Sequence, residues 1–403
     1  MRVSATSRWL TLCGIRLGWV ATLTLVALYL AGVGTETSSD ARSRSRVSDV
    51  RSPANTSVNT TPIRHLEYVV TDSEITVYDI DRGNAFVRTI PLPNLGPASG
   101  VVASPVSATL YVSYGGAGGY QGNGSLLAYD LRRGRILWQR RYGTGIDSMA
   151  ITPDGRTIYM PVGEFSGSGT WKIIDAATGQ VTGSIAAGAG PHNTIVGPGG
   201  RFVYLGSVDY PYLEVASTAT NKVVKEIGPL HGPGVRPFTI NGSQTLAFTT
   251  ARSFLGFQVS SIKTGRVLYS VSPPGFGFDP ATFGRTPDHG ISLSPDEQEL
   301  YLIDTPNGYV HVFDVRGLPG SRPRDVADIR LAHPPPNDGW LQHSRDGRYV
   351  YVGRAGDVIN TSTRKVVAFL PPLQQTADFL EIDWRTGRPV GTTSRYGVGY
   401  VTH

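Results

Sequence analysis

The chain has 403 residues, 40% of them hydrophobic, which is enough apolar material for one large domain or two ordinary ones and excludes a wholly disordered protein. With 49 glycines and 28 prolines, about a fifth of the chain favours tight turns, so a helical bundle is not expected. The formal net charge of +6 arises partly from arginines in the N-terminal segment, and no basic stripe interleaved with aromatic residues follows, so nucleic acid is not an expected partner.

The N-terminal segment has the layout of a targeting sequence. Arg2, Arg8 and Arg16 precede an uncharged apolar run of 17 residues at 17–33, which is typical of a secretory signal or of a single membrane anchor with its N-terminus in the cytoplasm. Gly32 and Gly34 would permit cleavage before Thr35, so both alternatives stay open. We expect residues 1–34 to direct the remainder of a bacterial-type chain out of the cytoplasm, as a secreted or periplasmic protein or as one anchored by residues 17–33.

Residues 35–61 are rich in Ser, Thr, Asn and Arg and contain few apolar side chains, so they cannot offset the entropy cost of ordering. We expect a disordered linker there, followed by one domain at 62–403. The single cysteine, Cys13, precedes that domain, which therefore has neither an intramolecular disulfide nor a thiolate metal site. Cys13 does not suit lipidation, because Leu12 is large and the apolar run follows the cysteine.

A tight turn recurs six times in the predicted domain. Its copies begin at Ser104-Pro105, Thr152-Pro153, Gly197-Pro198, Ile240-Asn241, Ser294-Pro295 and Ser344-Arg345. Measured on the second residue of each copy, the successive spacings are 48, 45, 43, 54 and 50 residues. These spacings lie in or just above the range of about 40 to 50 residues that is typical of four-stranded propeller blades.

A β-rich strand follows each of these turns, as at Thr157-Ile-Tyr-Met, and a later reverse turn such as Asp175-Ala-Ala-Thr-Gly179 closes each repeat. The N-terminal strands near Leu66, Ile75 and Phe86 lack an innermost partner, while the C-terminus has spare strands at Phe379 and Pro389. We therefore predict an all-β, seven-bladed β-propeller of four-stranded blades, closed by N- and C-terminal strands that share a blade.

The repeat resembles the YVTN family of propellers, also called YncE-like, whose repeats read approximately S-P-D-G-x-x-x-Y-V and then D-x-x-T-G-x-V. The closest match is Thr152-Pro-Asp-Gly-Arg-Thr-Ile-Tyr159 with Asp175-Ala-Ala-Thr-Gly-Gln-Val181, and the resemblance covers residues 62–403. The first and fourth repeats depart from the motif, at Pro105-Val-Ser and Asn241-Gly-Ser. The resemblance implies a propeller of the broad WD40-like kind and leaves the function open, because such propellers include binding proteins, lyases and quinoprotein-like enzymes.

Aligning the turns brings polar side chains into one column four or five residues before each turn. In a propeller these positions lead into the innermost strands and meet at one mouth of the central channel. The column contains Asp147, His192, Asn193, Arg236, His289 and Trp340. We predict a funnel that binds a small or polymeric ligand, for which an anion is one alternative, or a protein partner, with Arg236 as a bidentate fork and Trp340 as a stacking face. The alternative is that these groups only hydrogen-bond loop backbones and channel water.

Two residues of the closing blade are added to the predicted funnel, Glu381 and Arg395. Glu381 would be a funnel carboxylate, although an Arg–Glu pair in that blade would equally clamp the ring shut. The long loop before the fifth turn carries Phe276, Phe278 and Phe283, which are interpreted either as a flap over the funnel or, more simply, as packing on a blade edge.

The functional prediction is a binding or scaffolding protein, monomeric because ring closure removes exposed sheet edges. The alternative is an enzyme of lyase or hydrolase type in which His192 or His289 acts as a general base. A metal site of His192, His289 and His343 with Asp147 has no local ligand motif in its favour, so no metal and no cofactor are expected. Membrane contact is expected only through the N-terminal segment.

Overall fold

The computed structural model describes residues 61–93, 95–143 and 145–393. The predicted leader, all but the last residue of the linker, and Arg395 lie outside the described residues, so those predictions stay predictions. Over the described part of the chain, no helix has both the length and the apolar character needed to cross a membrane.

Three strands open the described chain and later become the outer strands of the closing blade: β1 Arg64–Val70, β2 Glu74–Asp79 and β3 Ala85–Pro91. A 3₁₀ turn, Ile80–Arg82, separates β2 from β3. Blade 1 then consists of β4 Ala98–Ser104, β5 Thr109–Tyr114, β6 Ser125–Asp130 and β7 Arg135–Arg141, with a 3₁₀ segment at Gly116–Gly119.

The next five blades repeat this order from the innermost strand outward. Blade 2 comprises β8 Ala150–Ile151, β9 Thr157–Pro161, β10 Thr170–Asp175 and β11 Val181–Ala186. Blade 3 comprises β12 Pro191–Val196, β13 Phe202–Ser207, β14 Leu213–Ser217 and β15 Lys222–Ile227. Blade 4 comprises β16 Phe238–Ile240, β17 Leu246–Ala251, β18 Phe254–Ser261 and β19 Val267–Val271.

Blade 5 comprises β20 Ile291–Leu293, β21 Glu299–Asp304, β22 Tyr309–Asp314 and β23 Arg324–Arg330. Blade 6 comprises β24 Trp340–His343, β25 Tyr349–Gly353, β26 Asp357–Asn360 and β27 Lys365–Phe369. A short helix, α1 Pro371–Gln375, leads to the last two strands, β28 Phe379–Arg385 and β29 Arg388–Thr392.

The ring is closed by strands from both ends of the domain, as predicted. The closing blade has the order β29-β28-β1-β2-β3, and β28 lies beside β4 as the other inner strands lie beside one another. The register pairs Glu67 with Glu381 and His65 with Asp383. Strand β29 adds a fifth strand on the inner side of β28. The protein is therefore a seven-bladed β-propeller.

Burial explains why these residues form inner and outer strands. The second strand of each blade is apolar and almost fully buried, as in β21 and β25, because neighbouring blades cover both of its faces. The outermost strands β7, β23 and β27 alternate between exposed and half-buried residues, because only one of their faces meets a neighbouring blade.

The recurrent turns adopt the geometry that their residues suggest. A hydroxyl accepts backbone N–H groups and bonds the following carboxylate, as in Ser294 Oγ to Asp296 Oδ1 at 2.6 Å and Ser344 Oγ to Asp346 Oδ1 at 2.7 Å. The glycine of the Pro-Asp-Gly turn is required for its positive φ, as at Gly155, where φ is +70°. These turns lie at one face of the ring, and the inner strands begin at the opposite face, which we call the mouth.

Candidate functional site

Five charged or polar side chains from four blades meet at the mouth. Asp147 precedes β8, Glu164 follows β9, His192 lies in β12, Arg236 precedes β16 and His289 precedes β20. All but Arg236 are at most 9% exposed, and the Arg236 side chain is 12% exposed. We call these five residues the mouth cluster, and four of them were predicted from the aligned column.

His192 connects two of its neighbours through its two ring nitrogens. Nδ1 lies 2.7 Å from Asp147 Oδ2, and Nε2 lies 3.4 Å from Nε2 of His289. A carboxylate oxygen accepts hydrogen bonds, so Nδ1 of His192 donates to Asp147, and Nε2 is the ring nitrogen that is directed at His289. The two histidines thus face one another through the same type of atom.

Trp340 packs against both histidines. Its ring centroid lies 4.3 Å from that of His289 in an edge-to-face arrangement and 6.2 Å from that of His192. The residue is only 4% exposed. The structure therefore places Trp340 as a wall behind the imidazoles, with little ring surface left to stack on a ligand.

Arg236 uses its fork on a protein carboxylate. Its Nη2 donates to Glu164 Oε1 at 3.0 Å, and its Nη1 forms an ion pair with Glu164 Oε2. Glu164 Oε2 also lies 4.0 Å from Nδ1 of His192. The sequence reasoning missed Glu164, because the loop after β9 was not part of the aligned column.

Two glycine-rich loops hold Glu164 in place. The amide of Phe165 donates to the carbonyl of Gly118 at 2.7 Å. Gly163 has a φ of +105°, and a Cβ at this position would lie 2.4 Å from the carbonyl carbon of Gly118. Because only glycine permits this approach, the glycine runs beginning at Gly115 and Gly163 are the sequence signal for this part of the mouth.

A cavity of about 250 Å³ opens beside His289 and Arg236. Two further arginines line it, Arg252 from the loop after β17 and Arg285 from the long loop before β20. Phe165 contributes an apolar wall, and Asp338 a single carboxylate. The sequence reasoning missed Arg252 and Arg285, although the unusual length of the loop between β19 and β20 drew attention to that segment.

The aromatic residues of that long loop do not all lie over the mouth. Phe276 packs against Tyr309 and His311 of β22, with ring centroids 5.1 and 4.6 Å away. It therefore covers a blade edge, as the simpler interpretation expected, while the later part of the loop supplies Arg285 and Thr286 to the cavity.

Asn193 and its neighbours join blades at the mouth. Ser148 and Asn193 form a parallel β-bridge between blades 2 and 3, and Ser148 Oγ donates to the carbonyl of Ser99 at 3.3 Å. Asn193 is fully buried, and within the described part of the chain neither atom of its side-chain amide has a hydrogen-bond partner. Its backbone thus serves ring architecture, while its side chain carries unused hydrogen-bonding capacity.

Glu381 belongs to a different group of residues. His65 Nδ1 lies 3.0 Å from Glu381 Oε1 and 2.7 Å from Asp383 Oδ1, and the backbone N–H of Arg345 donates to Glu381 Oε2 at 2.6 Å. Arg345 Nε lies 3.1 Å from Asp383 Oδ2. We call His65, Glu67, Arg345, Glu381 and Asp383 the closure cluster, because they connect β1, β28 and the turn of blade 6.

The surroundings shift the ionisation of two of these groups. The hydrogen bond to Glu381 is the largest factor that raises the pKa of His65, to about 9, with the charges of Asp383 and Glu381 adding to it. Burial raises the pKa of Glu381 to about 7, against the opposing effect of His65. The prediction of Glu381 as a funnel carboxylate is thus not matched by its position, and the clamp interpretation describes its contacts.

His343 also lies apart from the mouth cluster. Its Nδ1 lies 2.8 Å from Ser292 Oγ across the interface of blades 5 and 6, and its ring contacts Tyr301 edge-to-face at 4.7 Å. Burial lowers the pKa of His343 to about 3, so the ring is neutral at ordinary pH. It is a packing residue between blades, which removes it from the metal site that the sequence alternative contained.

A larger cavity of about 700 Å³ lies at the turn face between blades 5 and 6. The charged side chains there form ion pairs with one another. Arg364 lies 2.6 Å from Glu299, and Asp346 lies 2.5 Å from Arg348, which is just outside the cavity. Despite its smaller volume, the mouth cavity is the better candidate site, because it adjoins the His192–His289 contact and collects arginines from separate blades.

Comparisons with known proteins support the architecture and do not assign a family. No protein-family model and no curated protein sequence matches the chain. Among solved structures, a chain of Kuenenia stuttgartiensis hydrazine synthase is similar, with a TM-score of 0.52 and 15% sequence identity over 76% of this chain and 89% of that chain. A similarity at this identity shows the fold alone.

Proposed function

We propose that the protein is an extracytoplasmic propeller of the YVTN type that binds a small anionic ligand in the mouth cavity. The observation that carries this proposal is the convergence of Arg236, Arg252 and Arg285, from different loops, on one cavity of about 250 Å³ beside His289. Guanidinium groups recognise carboxylates and phosphates through paired hydrogen bonds, and a cavity of this size suits a small metabolite.

The charge balance of the cavity favours an anion. Glu164 neutralises Arg236, and Asp338 lies 3.5 Å from Arg354. Arg252 and Arg285 form no ion pair with any other described residue, so they supply positive charge that an incoming ligand would neutralise. Phe165, at 41% exposed, offers an apolar contact to the carbon skeleton of the ligand.

The family type and the location are supported by sequence rather than by the site. The repeat at 152–159 and 175–181 resembles the YVTN pattern, and the basic and apolar order of residues 1–34 is that of an export signal or anchor. A scaffolding role toward a protein partner would use the same face of the ring.

The proposal is tested by titrating the purified protein with inorganic phosphate and with citrate at low ionic strength, using calorimetry. We expect at least one of the two to bind, and the double variant Arg252→Ala/Arg285→Ala to bind it at least tenfold more weakly. Arg132→Ala/Arg135→Ala is the matched control, because it removes the same charge from exposed positions in blade 1. The proposal is wrong if neither anion binds, or if both double variants lose affinity equally.

A second candidate is a lyase-type enzyme, favoured by the hydrogen bond of 2.7 Å between Asp147 and His192. A carboxylate that fixes an imidazole is an arrangement found where histidine accepts a proton from a substrate, and the nearby arginines would stabilise an enolate-like intermediate. Proton exchange on citrate in D₂O, followed by NMR, tests this candidate. Exchange that is catalysed by the wild type and abolished in His192→Ala would favour it, whereas no exchange by the wild type would exclude it for this ligand.

A further inference from the structure

We propose that His192 and His289 hold a divalent transition-metal ion, of the Zn²⁺ class, between their two Nε2 atoms at the floor of the mouth cavity. The inference deepens the proposed function and rests on it for one step, namely that the anion bound in the cavity completes the coordination of the metal.

The distance between the two nitrogens is the first argument. Zinc binds imidazole nitrogen at about 2.0–2.1 Å, and two ligands at a tetrahedral angle on one ion are then about 3.4 Å apart. The two Nε2 atoms are 3.4 Å apart. The same separation would be long for a hydrogen bond between the two rings, and it equals the distance expected between two imidazole ligands of one ion.

The orientation of His192 is the second argument. Its Nδ1 donates to the buried carboxylate of Asp147, so Nε2 is the nitrogen that is directed at His289 and that would coordinate a metal ion. A carboxylate behind a ligating histidine is the usual support in metal sites, because it fixes the tautomer and increases the basicity of the ligating nitrogen. Asp147 is thus a positioning residue in this proposal and not a ligand.

The charges around the two histidines are the third argument. Asp147 and Glu164 are both at most 9% exposed, and within the described residues Arg236 is the one arginine or lysine side chain that pairs with either of them. Buried carboxylates require compensation by nearby positive charge. A divalent cation held by His192 and His289 would add to it.

The type of metal follows from the donors. Imidazole nitrogen suits Zn²⁺, Ni²⁺ and Cu²⁺, whereas Ca²⁺ and Mg²⁺ prefer sets of oxygen ligands. With His192 and His289 as the two protein ligands, the remaining coordination positions of the metal would face the cavity that the arginines line. A carboxylate or phosphate ligand would bind the metal with one oxygen and the guanidinium groups with the others.

The test uses the full-length protein, stripped with a chelator and titrated with ZnCl₂ alone by calorimetry in a buffer without phosphate or carboxylate. We expect one Zn²⁺ per chain, and at least 30-fold weaker binding in His192→Gln and in His289→Gln. His231→Gln is the matched control, because this exposed histidine lies in a neighbouring loop and contacts Phe254. A wild type that binds no stoichiometric Zn²⁺, or histidine variants that bind it as the control does, would overturn the inference.

Three further measurements separate a loss of the metal site from other effects. Asp147→Asn preserves the size of the side chain, and we expect it to weaken Zn²⁺ binding about 10- to 100-fold, as is typical when the support of a ligating histidine is removed. Substitution with Co²⁺ should give the intense visible absorption of a four-coordinate site in the wild type. Thermal unfolding curves of each variant show whether a loss of metal reflects a loss of fold.

The same reagents separate this inference from the proposed function. If Zn²⁺ binds but neither phosphate nor citrate changes the Co²⁺ spectrum, the metal site stands and the anion as its further ligand is wrong. If an anion binds equally well in the presence of chelator and no Zn²⁺ is taken up, the anion site stands and the metal site is wrong. The Arg252→Ala/Arg285→Ala variant should retain Zn²⁺ and lose only the anion.

Discussion

The mouth cluster and the closure cluster contain similar types of side chain but have different roles. The mouth cluster combines two histidines with two carboxylates and one arginine, and the closure cluster combines one histidine with three carboxylates and one arginine. In the closure cluster, His65 and Asp383 lie on paired strands, and the backbone of Arg345 bonds directly to Glu381. In the mouth cluster, the side chains come from four blades, and two of them, Arg236 and His289, line a cavity.

The difference lies in where the hydrogen-bonding atoms point. Both oxygens of Glu381 bond groups of the neighbouring strand and of the adjoining blade, so this carboxylate is fully engaged and links the two blades. In the mouth cluster, Nε2 of His192 lies next to Nε2 of His289. In the adjoining cavity, Arg252 and Arg285 have no carboxylate partner among the described residues. A similar set of side chains is therefore structural in one place and available to a ligand in the other.

The largest expected effect is on stability, when the closure cluster is broken. Glu381→Ala leaves the Arg345 amide without its acceptor and His65 with Asp383 as its remaining carboxylate partner. We expect it to lower the free energy of unfolding by about 3 kcal/mol, as is typical when one partner of a buried ion pair is removed. Urea unfolding monitored by fluorescence measures this change. Glu381→Gln is the control, because it retains an acceptor for the amide and should lose less. A change below about 1 kcal/mol in the alanine variant would show that the cluster does not hold the closure.

The next effect depends on pH. The folded-state pKa of His65, about 9, is above its unfolded value of 6.5, so its contribution to stability is full below pH 6.5 and is lost as the pH rises through 9. The raised pKa of Glu381, about 7, acts at lower pH, between about 4.5 and 7, so measurements from pH 7 to 9.5 isolate the histidine.

We expect the free energy of unfolding of the wild type to fall by about 1 kcal/mol more than that of His65→Gln over this interval, after allowance for solvent screening of the partly exposed ring. Parallel pH profiles of the two proteins would contradict the pairing of His65 with Glu381 and Asp383.

Much of the fold could be predicted from the sequence because its signals repeat. The six turns fix the register of six blades, and the positive φ values of Gly134, Gly179 and Asn221 occur where the reverse turns were predicted. The closing blade could be predicted as a shared blade, but not in its register, since a one-residue slip between β1 and β28 would reverse which side chains face one another. The sequence therefore did not predict the side-chain contact between His65 and Glu381.

The candidate site could be predicted only where it follows the repeat. Asp147, His192, Arg236 and His289 occupy equivalent positions before their inner strands, so an alignment of turns brings them together. Glu164, Arg252 and Arg285 lie in loops whose lengths differ from blade to blade, and no repeat predicts where such loops turn back. Contacts within the site, such as the Arg236–Glu164 ion pair, depend on the path of those loops and could not be predicted either.

The smallest expected effect completes the comparison between the two clusters. Arg285 is exposed at the rim of the mouth cavity and forms no ion pair within the described part of the chain, so Arg285→Ala breaks no ion pair there. We expect its free energy of unfolding to stay within about 0.5 kcal/mol of the wild type in urea, as for surface positions without a structural role. Arg345→Ala, which removes an arginine of the closure cluster, is the matched variant and should destabilise the protein clearly more. Equal losses in the two variants would mean that the mouth arginines also hold the ring, and the separation of a structural cluster from a ligand-binding one would fail.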